Sequence, residues 1–191
     1  MYAHSPEQGR LLIALARQAI TGEFEETRAS LPHPDWLDEP AATFVTLTQA
    51  DARGQSALRG CIGSLEAHRS LFADIQANAR AAAFKDPRFA PLSRKELDGT
   101  RIEVSILTSP VPMHFSDEAD ALHQLRPGID GLILEHGWHR ATFLPQVWEQ
   151  LPEPRQFMAN LKHKAGLATD FWDEDVRLAR YQVEKFKEDA P

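Results

Sequence analysis

Hydrophobic residues near the start of the chain recur at steps of three and four positions, the spacing of a helix that buries one face. They are Leu11, Leu12, Leu15, Ala16 and Ala19. Just before them, the segment SPEQ at residues 5–8 offers a hydroxyl for the N-cap, a proline at the first helical position and a glutamine for a capping box. We therefore predict a helix over residues 6–20.

Three later segments are also predicted to be helical. Residues 70–84 carry one apolar stripe that includes Leu71, Ile75 and Ala79, which core packing explains. A helix over residues 154–164 ends at Gly166. Ser116 is predicted to cap a shorter helix that runs to Leu125.

Alternation of hydrophobic and polar residues marks the strands. It predicts a hairpin that pairs residues 43–48 with residues 57–65 around the turn DARG, and another strand in TRIEVSIL at residues 100–107. The run GLILEHGWHRATFLP predicts a second hairpin that turns at His136-Gly137. The segment RLARYQVEKF near the C-terminus predicts one final strand.

Length and composition fit a folded protein of ordinary type. The 191 residues suit one domain or two closely joined lobes, and 42% are hydrophobic and 26% charged. A net charge of -7 argues against nucleic acid as the main partner. A single cysteine forms no internal disulfide, so we expect a cytoplasmic protein. No segment approaches the roughly 20 apolar residues of a membrane helix, and the N-terminus does not resemble a signal peptide.

The single cysteine, Cys61, lies in the segment LRGCIG on the second predicted strand. Side chains on a strand alternate between two faces, which places Arg59, Cys61 and Gly63 on one face. A guanidinium beside a thiol favours the thiolate, and Gly60 and Gly63 leave room for a ligand or another backbone. The alternative is that Cys61 only fills space, because free cysteine often behaves as a small buried hydrophobe.

Other candidate residues for chemistry are more ambiguous. Lys164, His163, His68 and His139 could assist a nucleophilic cysteine, although each also has an ordinary structural role. In the segment DPRF at residues 86–89, Arg88 could stand beside a pocket, or the segment could simply end a helix. The histidines show no metal-binding spacing and no glycine-rich phosphate loop occurs, so we expect neither a metal nor a cofactor.

Four segments in order resemble the AMMECR-type domain family, whose bacterial members are called AmmeMemoRadiSam system protein A. They are LRGCIGS, AAAFKDPRFAPLSRKELDGTRIEVSIL, GIDGLILEHGWHRATFLPQV and FMANLKHKAGL. The resemblance covers most of the chain and implies a single domain over residues 1–191. It implies an α+β fold, with mixed or antiparallel sheets and flanking helices, in two interlocked lobes that form a cleft. By motif position, residues 59–63, 86–89 and 164–167 correspond to the signature blocks.

The resemblance implies partners rather than a reaction. The family name reflects association with Memo-type proteins and with radical-SAM proteins. One hypothesis is that Arg59, Gly60, Ile62, Gly63 and Arg88 bind a small molecule or a protein, with Cys61 only lining the site. The other is that Cys61 acts as a nucleophile or covalent carrier, assisted by Lys164.

Overall fold

The computed structural model describes residues 4–25 and 30–188, beginning with the predicted first helix. This helix, α1, spans Pro6–Thr21. The Ser5 hydroxyl accepts a hydrogen bond from the backbone N–H of Gln8, and the Gln8 side chain accepts one from the backbone N–H of Ser5. The predicted capping box is therefore present and fixes the start of the helix.

The rest of the described chain has an α+β fold that contains three further α-helices and two antiparallel sheets. The helices are α2 (Leu71–Phe84), α3 (Glu118–Gln124) and α4 (Pro154–Lys164). The strands are β1 (Pro40–Ala50), β2 (Ser56–Gly63), β3 (Arg69–Ser70), β4 (Arg101–Leu107), β5 (Val111–Pro112), β6 (Gly131–His136), β7 (His139–Phe143), β8 (Arg177–Tyr181) and β9 (Val183–Lys187). The chain divides into two units, Met1–Leu107 with Glu184–Pro191 and Thr108–Val183.

The first unit is built on a five-stranded sheet with the order β2-β1-β4-β9, and β3 pairs with the start of β1. Helix α2 packs on β1 and β2, and α1 packs on α2. Val45, Leu47, Ile75 and Leu12 are among the fully buried residues of this core. The hydrophobic stripes of the two helices thus find the apolar partners that their spacing predicts.

A polar network lies inside this core, between α2 and the sheet. The Asp74 carboxylate, 1% exposed, accepts hydrogen bonds from the backbone N–H and the hydroxyl of Thr43 at 2.9 and 2.8 Å. Asn78 Nδ2 and the Ser64 hydroxyl also donate to it. Because Ser64 directly follows β2, the network fixes the end of the LRGCIG strand to α2.

The second unit contains a four-stranded sheet with the order β5-β8-β6-β7. Leu132 and Leu134 of β6 are fully buried, and the rings of Trp148 and Phe157 stack 3.7 Å apart between their centroids. Lys162 of α4 is also buried there, paired with Glu118 at 2.6 Å.

The structure corrects two local predictions in this unit. The hairpin turns at Gly137-Trp138 rather than at His136-Gly137, because His136 still pairs with His139 and the positive φ of 57° falls on Gly137. The cap of α3 is Asp117 rather than Ser116, since the Asp117 carboxylate accepts from the N–H of Asp120 at 2.8 Å.

The predicted final strand is in fact two strands. Residues of RLARYQVEKF form β8, which pairs with β5 and β6, and β9, which lies beside β4 in the first unit's sheet. Gln182 separates them, and its N–H donates to the Thr108 hydroxyl at 2.8 Å. Alternation of hydrophobic and polar residues predicts one strand here, because the single polar residue between β8 and β9 does not interrupt the pattern.

Candidate functional site

The segment LRGCIG lies in β2, at one edge of the five-stranded sheet. Cys61 stands opposite Thr46 of β1, whose hydroxyl donates a hydrogen bond to the cysteine sulfur at 3.3 Å. The cysteine is half-buried. An edge strand presents backbone N–H and C=O groups that have no neighbouring strand, so these groups at Cys61 need other partners.

The side chains of the DPRF segment supply those partners. Asp86 Oδ2 accepts a hydrogen bond from the backbone N–H of Cys61 at 2.8 Å, and Arg88 Nη2 donates one to the carbonyl oxygen of Cys61 at 3.2 Å. Arg88 also binds both carboxylate oxygens of Asp86, at 2.9 and 2.7 Å. The Asp86 side chain is 2% exposed and that of Arg88 is 53% exposed. These two side chains take the place of a neighbouring strand, and they join the LRGCIG and DPRF segments into one structure.

The space beside Gly60 and Gly63 is filled by other atoms of the protein. A Cβ atom on Gly60 would lie 2.2 Å from the carbonyl oxygen of Ala82 in α2. A Cβ atom on Gly63 would lie 2.2 Å from the ring of Phe44. Ile62, between them, packs against the hydrophobic core. The glycines therefore let a helix and an aromatic ring approach β2 closely.

Arg59 stands at an irregularity of β2. Leu47 pairs with Gly60 and Thr48 with Leu58, so the register skips Arg59, and the strict alternation that predicts a face shared with Cys61 does not extend to it. Its guanidinium donates from Nε to Glu96 Oε1 at 3.0 Å and from Nη2 to the carbonyl oxygen of Ala90 at 2.9 Å. The Arg59 side chain is 11% exposed, and its buried Nη1 has no hydrogen-bond partner among the described residues.

Phe89 connects the two arginines of the site. The guanidinium carbon of Arg59 lies 5.8 Å from the centroid of the Phe89 ring, and that of Arg88 lies 5.5 Å from it. Both distances are within the range of cation–π attraction. We call Arg59, Cys61, Asp86, Arg88 and Phe89, together with the carboxylate of Glu96, the signature site.

The carboxylates of the signature site are held in their charged form. Hydrogen bonding from Arg88 lowers the pKa of Asp86, with further contributions from the backbone N–H groups of Cys61 and Arg88. Hydrogen bonding from Arg59, followed by bonds from Ser93, lowers the pKa of Glu96 to about 2. Asp86 in turn raises the pKa of Arg88. At neutral pH the site therefore consists of two fixed ion pairs.

Three of the other predicted assistants of a cysteine nucleophile have partners of their own. Lys164 ends α4 in the second unit, where its Nζ donates to the carbonyl oxygen of Thr142 at 2.9 Å and lies 5.1 Å from the Phe143 ring centroid. His68 is exposed and pairs with Glu66 at 2.9 Å. His139 Nδ1 lies 2.8 Å from the carbonyl oxygen of Ala165. The described hydrogen bond to the Cys61 sulfur comes from Thr46 rather than from any of these side chains.

The described residues contain neither a metal-binding cluster nor a membrane-spanning helix. Across residues 4–25 and 30–188, no group of three or more His, Cys, Asp or Glu side chains could hold a metal ion. In the same part of the chain, no helix is both long enough and apolar enough to cross a membrane.

The sequence does not predict that Glu96 belongs to this site or that Thr46 binds the sulfur of its cysteine. The SRKE segment predicts a capping box, and Ser93 does bind Glu96 through its backbone N–H at 2.8 Å. The same carboxylate also pairs with Arg59, 37 positions away along the chain, which no local pattern indicates. The pairing of Thr46 with Cys61 depends on the register of the hairpin, and the skipped position at Arg59 shifts that register by one residue.

The chain is similar to a family model, to proteins of other organisms and to a solved structure. The AMMECR1 family model matches residues 13–186. A protein of Methanothermobacter thermautotrophicus is 39% identical over 97% of both chains, and one of Saccharolobus solfataricus is 42% identical over 97% of this chain and 83% of its own. The crystal structure of an uncharacterised protein from Pyrococcus horikoshii superposes with a TM-score of 0.78 at 35% identity, covering 97% of this chain and 93% of that one.

Proposed function

Since the chain belongs to the AMMECR1 family, we propose that it is a cytoplasmic binding protein whose signature site recognises a small molecule or a partner protein. Arg59, Gly60, Ile62, Gly63 and Arg88 form or shape this site, and Cys61 lines it. The single domain over residues 1–191 and the cleft implied by the family resemblance belong to the same proposal. Memo-type and radical-SAM proteins are the proposed partners.

The observation that carries the proposal is the double hydrogen bond between the DPRF side chains and the backbone of Cys61. Asp86 and Arg88 occupy the outward N–H and C=O of the strand, so an added strand from a partner cannot use them without displacing both side chains. The half-exposed Arg88 guanidinium is a charged group accessible at this point of the strand. A site whose side chains are already held by hydrogen bonds within the protein costs little to order when a ligand binds, which favours recognition.

A thermal-shift screen of metabolites tests this proposal. A ligand that binds only the folded state at a hundred times its Kd stabilises the protein by about 2.7 kcal/mol. We expect at least one metabolite to raise the melting temperature of the wild type and of Cys61→Ser, but not of Arg88→Gln. Arg94→Gln is the matched control, because Arg94 is a half-exposed arginine whose ion pairs are with Glu25 and Asp98 rather than with residues of the signature site. A ligand whose effect survives in Arg88→Gln would contradict the assignment of the site.

The proposed protein partners need a separate test. Their support is the family resemblance, so the purified protein is mixed with a purified Memo-type protein or a radical-SAM protein from the same genome and analysed by size-exclusion chromatography. We expect a complex with at least one of them, weakened by Arg88→Gln and retained in Arg94→Gln. Separate elution of all mixtures would remove these partners from the proposal.

A second candidate function is cysteine chemistry, favoured by the hydrogen bond from the Thr46 hydroxyl to the Cys61 sulfur. A donor to the sulfur stabilises the thiolate, which is the reactive form of cysteine. In this alternative, Cys61 is a nucleophile or covalent carrier and Lys164 assists it. Alkylation of Cys61 by iodoacetamide at pH 7 should then be faster than that of glutathione, and slower in Thr46→Val. Slow alkylation in both proteins, with full ligand binding by Cys61→Ser, would exclude this function.

A further inference from the structure

The guanidinium of Arg59 has more hydrogen-bond donors than the protein uses. A guanidinium carries five N–H groups and no acceptor. Glu96 engages Nε and the carbonyl oxygen of Ala90 engages Nη2, whereas Nη1 is buried without an acceptor among the described residues. A buried donor that lacks a partner is rare and destabilising, so this nitrogen calls for an acceptor from outside the chain.

The second guanidinium of the signature site also has donors to spare. Arg88 uses Nε and Nη2 on Asp86 and on the carbonyl oxygen of Cys61, and no described residue engages its Nη1. More than half of this side chain is exposed. Phe89 is a shared neighbour of the two arginines, since both guanidinium carbons lie within cation–π distance of its centroid.

The carboxylates of the site are not available for these spare donors. Asp86 already accepts from the backbone N–H groups of Cys61 and Arg88 and from the Arg88 side chain. Glu96 accepts from Arg59 and from both the backbone and the hydroxyl of Ser93. These bonds fix the oxygens in place, and a shift of either carboxylate toward a spare N–H would break bonds that now exist.

We infer that the signature site binds the carboxylate or phosphate group of a small metabolite, between the free Nη1 groups of Arg59 and Arg88. This inference rests on the proposed function and names the chemistry of its ligand. An oxyanion offers several acceptors to converging N–H donors, and guanidinium groups match its geometry. Arg88 is the exposed half of the site, with 53% of its side chain exposed, and the Arg59 Nη1 is the buried half. The net charge of -7 repels an anion at long range, so the binding free energy has to come from the local contacts with the two arginines.

An NMR titration of the full chain with inorganic phosphate and with acetate tests the inference, with sodium chloride at equal ionic strength as the reference. We expect saturable shifts of the Cys61 amide and of the Nε resonances of Arg59 and Arg88. Arg88→Gln should raise the apparent Kd by about tenfold or more, which is the effect of losing a charge-assisted hydrogen bond. Arg94→Gln should retain the wild-type Kd. If Arg88→Gln does not fold, Arg88→Lys keeps the charge beside Asp86 and should still weaken binding, whereas Arg94→Lys should not.

The outcomes separate this inference from the proposed function. Tighter binding of phosphate indicates a phosphorylated metabolite, and tighter binding of acetate indicates a carboxylic acid. Absence of saturable shifts at these three residues, or equal shifts in chloride, overturns the inference. If the thermal-shift screen still finds a neutral ligand that Arg88→Gln fails to bind, only the oxyanion chemistry is wrong. If that screen also finds no ligand, the small-molecule part of the proposed function fails with it.

Discussion

Thr43 of β1 shows how a single hydroxyl supports the polar network that holds the end of β2 to α2. It is fully buried, and its Oγ1 donates to the Asp74 carboxylate while accepting from Asn78 Nδ2. Thr43→Val keeps the shape of the side chain but removes a hydrogen bond to a charged group, so we expect the free energy of unfolding to fall by about 1.5–3 kcal/mol. Urea denaturation of the wild type and the variant measures this difference.

Thr48 provides the matched control for that prediction. It lies on the same strand and is half-buried, and the structure gives its hydroxyl no hydrogen bond within the described residues. Thr48→Val should therefore change the free energy of unfolding by no more than about 0.5 kcal/mol. Equal losses in the two variants would mean that the buried network does not stabilise the strand.

At the level of single residues, sequence patterns identify candidate site residues better than they identify the residues that these bind. Arg59, Cys61 and Arg88 are identified from two short segments that the family resemblance singles out. The pairing of Arg59 with Glu96 is not visible in the sequence, because it joins positions that only the fold brings together. The skipped register at Arg59 is equally hidden, since a bulge leaves no residue-type signal in this strand.

Helices and hairpins of this chain are predictable where local chemistry decides them. The capping box at Ser5 and the proline that begins α4 are local signals, and both helices begin where these signals indicate. The division of the last strand into β8 and β9 depends on which sheet each half joins, and pairing between distant segments has no local signal. The same reason explains why the sequence leaves open whether a ligand or another backbone approaches the glycines of β2, where the structure places α2 and Phe44.

The packing of β2 against α2 depends on the absence of a side chain at Gly60. In Gly60→Ala, the new Cβ would meet the carbonyl oxygen of Ala82, a backbone atom that cannot rotate away, so strand and helix must separate. We expect the free energy of unfolding to fall by about 3 kcal/mol, at the upper end of overpacking effects. Chemical denaturation measures the loss, and the NMR shifts of residues 59–63 report the displacement of the strand.

Gly99 is the control position at this scale. A Cβ at Gly99 meets nothing within 4 Å, and its φ is not in the left-handed region. Gly99→Ala should therefore be neutral or slightly stabilising, because alanine restricts the unfolded chain. If Gly60→Ala were as stable as Gly99→Ala, the close approach between β2 and α2 would not be a feature of the protein in solution.

For the whole molecule, the two ion pairs of the signature site link the free energy of unfolding to pH. Arg59 lowers the pKa of Glu96 from the ordinary value of 4.5 to about 2, so between these values the unfolded chain binds a proton at this position that the folded chain does not. Asp86 has a lowered pKa and acts in the same direction. The stabilisation from both carboxylates is complete above the ordinary carboxyl range and is lost progressively as the pH falls below that range toward their lowered pKa values.

Glu96→Gln isolates one part of this pH dependence. Above about pH 4.5, wild type should be more stable than Glu96→Gln by about 1 kcal/mol, a modest value because the glutamate is 36% exposed and solvent screens the pair. The difference should shrink steadily as the pH falls toward 2, where Glu96 becomes protonated. Urea denaturation at several pH values measures it, and Glu149→Gln, at an exposed glutamate, controls for the loss of one carboxylate elsewhere in the chain. A gap between wild type and Glu96→Gln that stays constant throughout this window would mean that Arg59 does not stabilise the charged form of Glu96 in the folded protein.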